Sequence, residues 1–205
     1  MKKVEKNHYT VILEDFSHLI LYDGSQLASR YTAENYGIFR DSILIFRGGM
    51  KLSPKEMVDI KDIRRESHLN EILISSDDSL HFIIEEFDIQ PPNIEMEYYR
   101  LQILTLIMIE VLKKKGLEVT RRGTDLYAEN KKLNVAIASI GISSGKIHFG
   151  INIANTGFPS HVEAVGLLEL GIREDELENM AMEIAENYSN EILKIKENIS
   201  KTKPI

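Results

Sequence analysis

The 205-residue sequence contains no cysteine. That excludes disulfides, thiolate zinc sites and cysteine nucleophiles, and it fits a reducing compartment. It has no excess of positive charge. The net charge is −7, which argues against a broad nucleic-acid footprint. The first ten residues, MKKVEKNHYT, lack the apolar core of a signal peptide. The longest apolar stretch, LQILTLIMIEVL, is too short and too interrupted to cross a bilayer, so the expectation is a cytoplasmic protein without a membrane partner. Also missing are a Ser-His-Asp elbow, a Walker loop, a dinucleotide glycine fingerprint and any internal repeat. What remains is an ordinary globular balance, 43% hydrophobic and 28% charged, read as one domain over residues 1–205.

Residues 9–22 predict one or two short strands, and Asp23-Gly24 a turn followed by a short helix over Leu27 to Glu34. DSILIFRGG predicts a strand that ends at the glycine pair. Ser53 and Pro54 form a helix-start signal, and Asp59, Asp62, Arg64 and Arg65 read as a solvated charge run. LHFIIEEF favours a strand, with His81 and Glu85 on one face. Leu101 to Leu112 are apolar almost all round, and lysines then Gly116 close the element, which predicts a central helix buried against a sheet. From Glu174 to Lys196, Leu177, Met180, Ile184, Tyr188 and Ile192 recur at helical spacing. This predicts a C-terminal amphipathic helix.

Polar residues recur at fixed places between Arg121 and Gly157. Glu129-Asn130 predicts a hairpin turn after Asp125–Ala128. By strand alternation, Leu133, Val135 and Ile137 form one face of the next segment, and Asn134, Ala136 and Ala138 the other. Ile147, Phe149, Ile151 and Ile153 then oppose Lys146, His148, Gly150 and Asn152. The bulky faces are expected in the core. The small polar face is either a ligand floor made by Asn134, Ala136, His148, Gly150 and Asn152, or an ordinary sheet face under solvent or another subunit.

The run from Leu101 through the hairpin to GINI at Gly150–Ile153 resembles the catalytic core of biotin- and lipoate-protein ligases. There a buried helix leads to an Asn-Asp pair, a lysine follows seven residues after the aspartate, and a Gly-Ile-Asn-Val type strand comes later. Thr124-Asp125, Lys132 and GINI take these places, and Ser25 and Gln26 of YDGSQL match a segment near the start of that core. Over its whole length the sequence resembles a mainly archaeal family, domain of unknown function 366, whose fold is placed with those ligases and class II aminoacyl-tRNA synthetases. The resemblance implies an α+β fold: a mixed, mostly antiparallel sheet on a buried central helix.

The same resemblance implies a site for a small carboxylate or its adenylate, with ATP and magnesium and acyl or AMP transfer. Lys132 would stabilise the anion and Asp125 would orient ribose or Lys132. Arg47, Gly48 and Gly49 of FRGGM stand where ligases carry a glycine- and arginine-rich phosphate loop; a β-turn beside a surface arginine explains them equally. Arg122 could hold a phosphate or end a solvated strand. Ligases place a glycine two or three residues after the lysine, and this chain has Asn134-Val135 there. His81 with Glu85, and His161 with Glu163, lack a third ligand, so no metal site is expected. A non-catalytic, homo-oligomeric member of the fold is the alternative.

Overall fold

In the computed structural model, the residues described are 1–52, 64 and 74–203. The Ser53–Pro54 helix start and the charges at 59, 62 and 65 lie outside them.

A six-stranded sheet forms the frame. Its strands are β1 (Lys2–Lys6), β2 (Tyr9–Leu13), β3 (Ser42–Leu52), β4 (Ile74–Glu86), β9 (Gly145–Asn152) and β8 (Asn134–Ile140), in that spatial order. All pairs are antiparallel except β2 with β3. A small second sheet holds β5 (Thr120–Arg122), β6 (Asp125–Ala128) and β7 (Lys131–Lys132). Helix α1 (Tyr31–Tyr36) is short; α2 (Ile94–Lys114) and α3 (Leu177–Ser200) are long.

Alternation along β3, β4 and β9 sends Ile43, Ile45, Leu80, Phe82, Ile147, Phe149 and Ile151 to the face covered by α2 and α3. The α3 residues Leu177, Met180, Ile184, Tyr188 and Ile192 are all buried there, as their spacing predicts. Helix α2 starts at Asn93, whose side chain accepts from the Met96 amide, and it carries lysines in its last turn. It buries one side only, because Tyr99 and Leu106 stay about half exposed. The opposite sheet face has a smaller core of Ile12, Tyr22, Leu44, Phe46, Met50 and Ile83.

Two expectations need correction. The glycine pair does not end the strand: β3 runs on to Leu52 with a bulge between Gly48 and Met50. And β8 faces the other way. Ala136 and Ala138 pack toward the helices, while Val135 joins the smaller core. The phase slips at Leu133, which lies between β7 and β8 and is fully buried. Small side chains on β8 let α2 approach closely, so bulk did not mark the core face there.

Two buried polar networks tie elements to the sheet. Lys146 and Glu85 form an ion pair of 2.7 Å, both side chains inaccessible. Lys146 also donates to the Ala28 carbonyl, and the Arg30 amide and Thr32 hydroxyl donate to Glu85, which docks residues 28–32. Burial pushes the Glu85 carboxyl up, but the Lys146 hydrogen bond and charge outweigh it, and it sits below its ordinary range. On the other face Arg100 forks onto Asp88 at 2.9 and 2.8 Å and lies 3.2 Å from Glu86 and 3.5 Å from Glu97. Tyr9 and Tyr188 both donate to Glu86 Oε1. Glu86 Oε2 and Glu97 Oε2 are buried without a hydrogen-bond partner.

Candidate functional site

The hairpin after β6 builds the first wall of a cleft. Glu129 and Asn130 both have positive φ, 52° and 64°, the geometry of a tight two-residue turn. The turn sets Tyr127 opposite Lys132 and Arg122 opposite Asp125. Lys132, Tyr127, Asp125 and Arg122 therefore share one face of the small sheet. Lys132 Nζ lies 3.0 Å from Asp125 Oδ1, and both side chains are about one-third exposed. The Arg122 guanidinium sits 4.9 Å over the Tyr127 ring.

The second wall comes from residues 158–164. The Lys132 amide donates to Glu163 O at 2.8 Å, and Val165 N donates back to Lys132 O at 3.0 Å. This parallel bridge brings Phe158, Pro159, Val162 and Ala164 across from Met50, Ile74 and Val135. Lys132, Asn134, Asn152 and Ser75 complete a lining around about 520 Å³ of empty space, part of it open to solvent. The result is a mostly apolar cleft with one ammonium group among its described lining residues, which suits an anion with an apolar body.

Three of the residues singled out from sequence thus meet at one cleft: Lys132, Asn134 and Asn152. The amides hold the frame. Asn134 accepts from the Leu126 amide at 2.6 Å and donates to Thr124 O at 3.0 Å, joining the two sheets. Asn152 Nδ2 lies 3.3 Å from Lys132 O and 3.2 Å from Val165 O, so it fixes the backbone on both sides of the ammonium.

The remaining candidates lie elsewhere. Arg47 takes the helix side of β3, forked onto Asp78 at 2.8 and 2.7 Å and bonded to Glu174. Its hydrogen bonds to Asp78 lead in holding its pKa above the ordinary arginine value. Gly48 and Gly49 accommodate the chain itself: Ile20 N donates to Arg47 O, Tyr22 N to Gly49 O, and Lys51 N to Tyr22 O. A Cβ on Gly48 would overlap the Ile20 carbonyl. Ser25 closes an Asx turn on Asp23, and Gln26 bonds Leu21 O and the Asp23 amide. Ala136 packs on the helix-side core.

His148 and Gly150 keep the predicted face but are covered. The Tyr22 ring stacks on His148 at 3.7 Å and on His81 at 5.4 Å. His81 Nδ1 and His148 Nε2 are 3.0 Å apart, and His81 Nε2 lies 3.2 Å from Gly48 O. Since a carbonyl only accepts, His81 carries its proton on Nε2 and accepts from His148 at Nδ1. Burial lowers both imidazoles, His81 to about 4 and His148 well below its usual value. Both are neutral.

The described residues therefore supply no phosphate cradle at the glycine pair. No cluster of three metal-ligating side chains occurs among them either. They do not fit Mg·ATP held at that loop. The cleft residues that sequence reasoning missed are Met50, Ile74, Ser75, Val135, Phe158, Pro159, Val162 and Ala164. None has a chemical signature, and the parallel bridge that assembles half of them has no sequence signal.

Residues 12–203 match the sequence model of the family described as a domain of unknown function, DUF366. An uncharacterized protein of Methanocaldococcus jannaschii is 38% identical over 184 residues, covering 90% of this chain and 80% of that one. A protein of unknown function from Pyrococcus horikoshi superposes with a TM-score of 0.85 at 34% identity, over 96% of this chain and 99% of that one. Biotin protein ligase from Aquifex aeolicus, solved with biotin and ATP, gives a TM-score of 0.60 at 15% identity over 91% and 72%. A lipoate-protein ligase A bound with ATP gives 0.52 at 13% over 88% and 83%. At such identities the likeness is one of fold. The chain belongs to the DUF366 family and has a mixed, mostly antiparallel α+β fold of the biotin/lipoate-protein-ligase kind.

Proposed function

We propose that this protein binds a small carboxylic acid, or the acyl adenylate of one, in the cleft between the hairpin and residues 158–164. The observation that carries this reading is the Lys132 ammonium, held 3.0 Å from Asp125 among the walls of a mostly apolar cleft. An anionic head on Lys132 gains a charge-assisted hydrogen bond, and an apolar body gains burial against Val135, Phe158 and Val162. Asp125 acts as a positioning residue for the ammonium. The ligase-like fold supports the adenylate form, since the Aquifex relative of that fold was solved with biotin and ATP.

Calorimetric titration with short straight-chain carboxylates tests the reading. Lys132→Gln should weaken binding about tenfold or more, the effect of losing one charge-assisted bond. Equal affinity in both proteins would remove Lys132 from the site. Acid-dependent pyrophosphate exchange would assign the adenylate form. The filled glycine pair favours a second reading, a non-catalytic and homo-oligomeric member of the fold. It requires acid binding without exchange, and a dimer or larger species on sizing chromatography.

A further inference from the structure

The strand face that floors the cleft runs on past it, and there it is covered by side chains of this chain. Along β9 the face that begins with Asn152 continues inward through Gly150 to His148. Asn152 lines the cleft, and so does Val135, which pairs directly with Gly150 on the neighbouring strand. His81 pairs with Gly150 from the other side. Gly150 is thus the low point of the floor just inside the cleft. A Cβ there would lie 3.2 Å from both His148 Nε2 and His81 Nδ1, so the glycine makes room for the two rings. Over those rings lies Tyr22, 1% exposed and stacked 3.7 Å from His148. Its backbone is bridged to Met50, which is itself a cleft-lining residue.

We infer that Tyr22 occupies the inner half of a longer groove and so sets the size of the ligand: the cleft takes acids with a short apolar body and excludes long-chain or ring-extended ones. This length rule rests on the reading given under Proposed function. The geometry behind it is a continuous face, Asn152 to Gly150 to His148, covered past Asn152 by the two imidazoles and, over them, by the Tyr22 ring. Removing the ring opens the space over the two imidazoles, beside the cleft. The new inner end is lined by two neutral imidazoles, so it accepts a longer body and favours one with a polar group at its far end.

The test is calorimetric titration of the full chain with sodium salts of straight-chain acids from propanoate to decanoate. Wild type, Tyr22→Phe and Tyr22→Ala are compared, with Tyr22→Leu added because loss of a buried ring can prevent folding. Cooperative thermal unfolding first confirms that each variant is folded. Wild type and Tyr22→Phe should bind short acids best and lose affinity at least tenfold for the longest. Tyr22→Ala or Tyr22→Leu should move the optimum to longer acids. A wild type that binds decanoate as tightly as short acids overturns the length rule, as does an unchanged optimum in both ring-deleted variants. A wild type that binds no acid of any length overturns the ligand reading itself, and the length rule with it.

Discussion

Stability should fall as pH rises above 6.5, and Glu97→Gln should lessen the fall. Glu97 is 2% exposed, and burial followed by the Glu86 charge pushes its carboxyl up to about 8. The groups facing it explain why. Arg100 is forked onto Asp88 and shared with Glu86, so a third carboxylate would leave the cluster with uncompensated negative charge. Lys196 lies 2.8 Å from Asp88, and Tyr9 and Tyr188 donate to Glu86 but carry no charge to offset Glu97. Glu97 therefore keeps its proton in the folded state.

The sign follows from linkage. A carboxyl whose folded pKa is raised contributes stability that is whole below its unfolded value of 4.5 and lost as pH rises through about 8. His8, His81 and His148 act the opposite way, since burial lowers each of them. Their contribution grows as pH rises toward 6.5 and is then complete, while Asp41 and Glu86, also pushed up by burial, act in the same sense as Glu97. Between pH 6.5 and 8, where the imidazoles no longer change, Glu97 contributes a slope of ~1.4 kcal/mol per pH unit, about 2 kcal/mol in all. For a chain of this size that is roughly 4–8 °C in Tm. Urea unfolding at half-unit steps from pH 5 to 9 measures it. Glu97→Gln keeps the shape and should flatten the limb above pH 6.5. A wild-type curve flat from 6.5 to 8, or an equal slope in the variant, would refute the reasoning.

Other consequences are simpler to check. Gly48→Ala puts a methyl into the Ile20 backbone and should cost ~3 kcal/mol, or a drop of about 6–12 °C in Tm by calorimetry. Asn134→Ala leaves the Leu126 amide and the Thr124 carbonyl without their partner, a loss of about 2–4 kcal/mol in denaturant unfolding. Arg47→Met should lower stability by about 1–3 kcal/mol through the half-buried Asp78, yet leave carboxylate affinity unchanged in calorimetric titration. Lost affinity would return Arg47 to the ligand site.

Local signals in the sequence carried much of this architecture. Five apolar residues of α3 recur at helical spacing, and all five are buried. Glu129-Asn130 marks a hairpin because two adjacent residues tolerate positive φ. The alternation from Lys146 to Ile153 holds because β9 is regular and central. What failed depended on contacts distant in sequence. The edge strand β1, KKVEK, has no apolar alternation, as suits a charged edge. The glycine pair at 48–49 announces close backbone approach but not that the backbone is Ile20–Tyr22. Nor does FRGGM tell that Arg47 faces the helices and meets Asp78 and Glu174. At β8 the break at Leu133 reverses the phase, so Ala136 changes sides. Lys132 and Asp125 were legible because a hairpin register is local.

The most direct test of the central claim is a crystal structure of the protein with a short straight-chain carboxylate. The account predicts the acid in the cleft, its carboxylate about 2.7–2.9 Å from Lys132 Nζ and its chain against Val135 and Val162, ending before Tyr22. An acid seated elsewhere, or a cleft still empty at a concentration that saturates binding in solution, would contradict it.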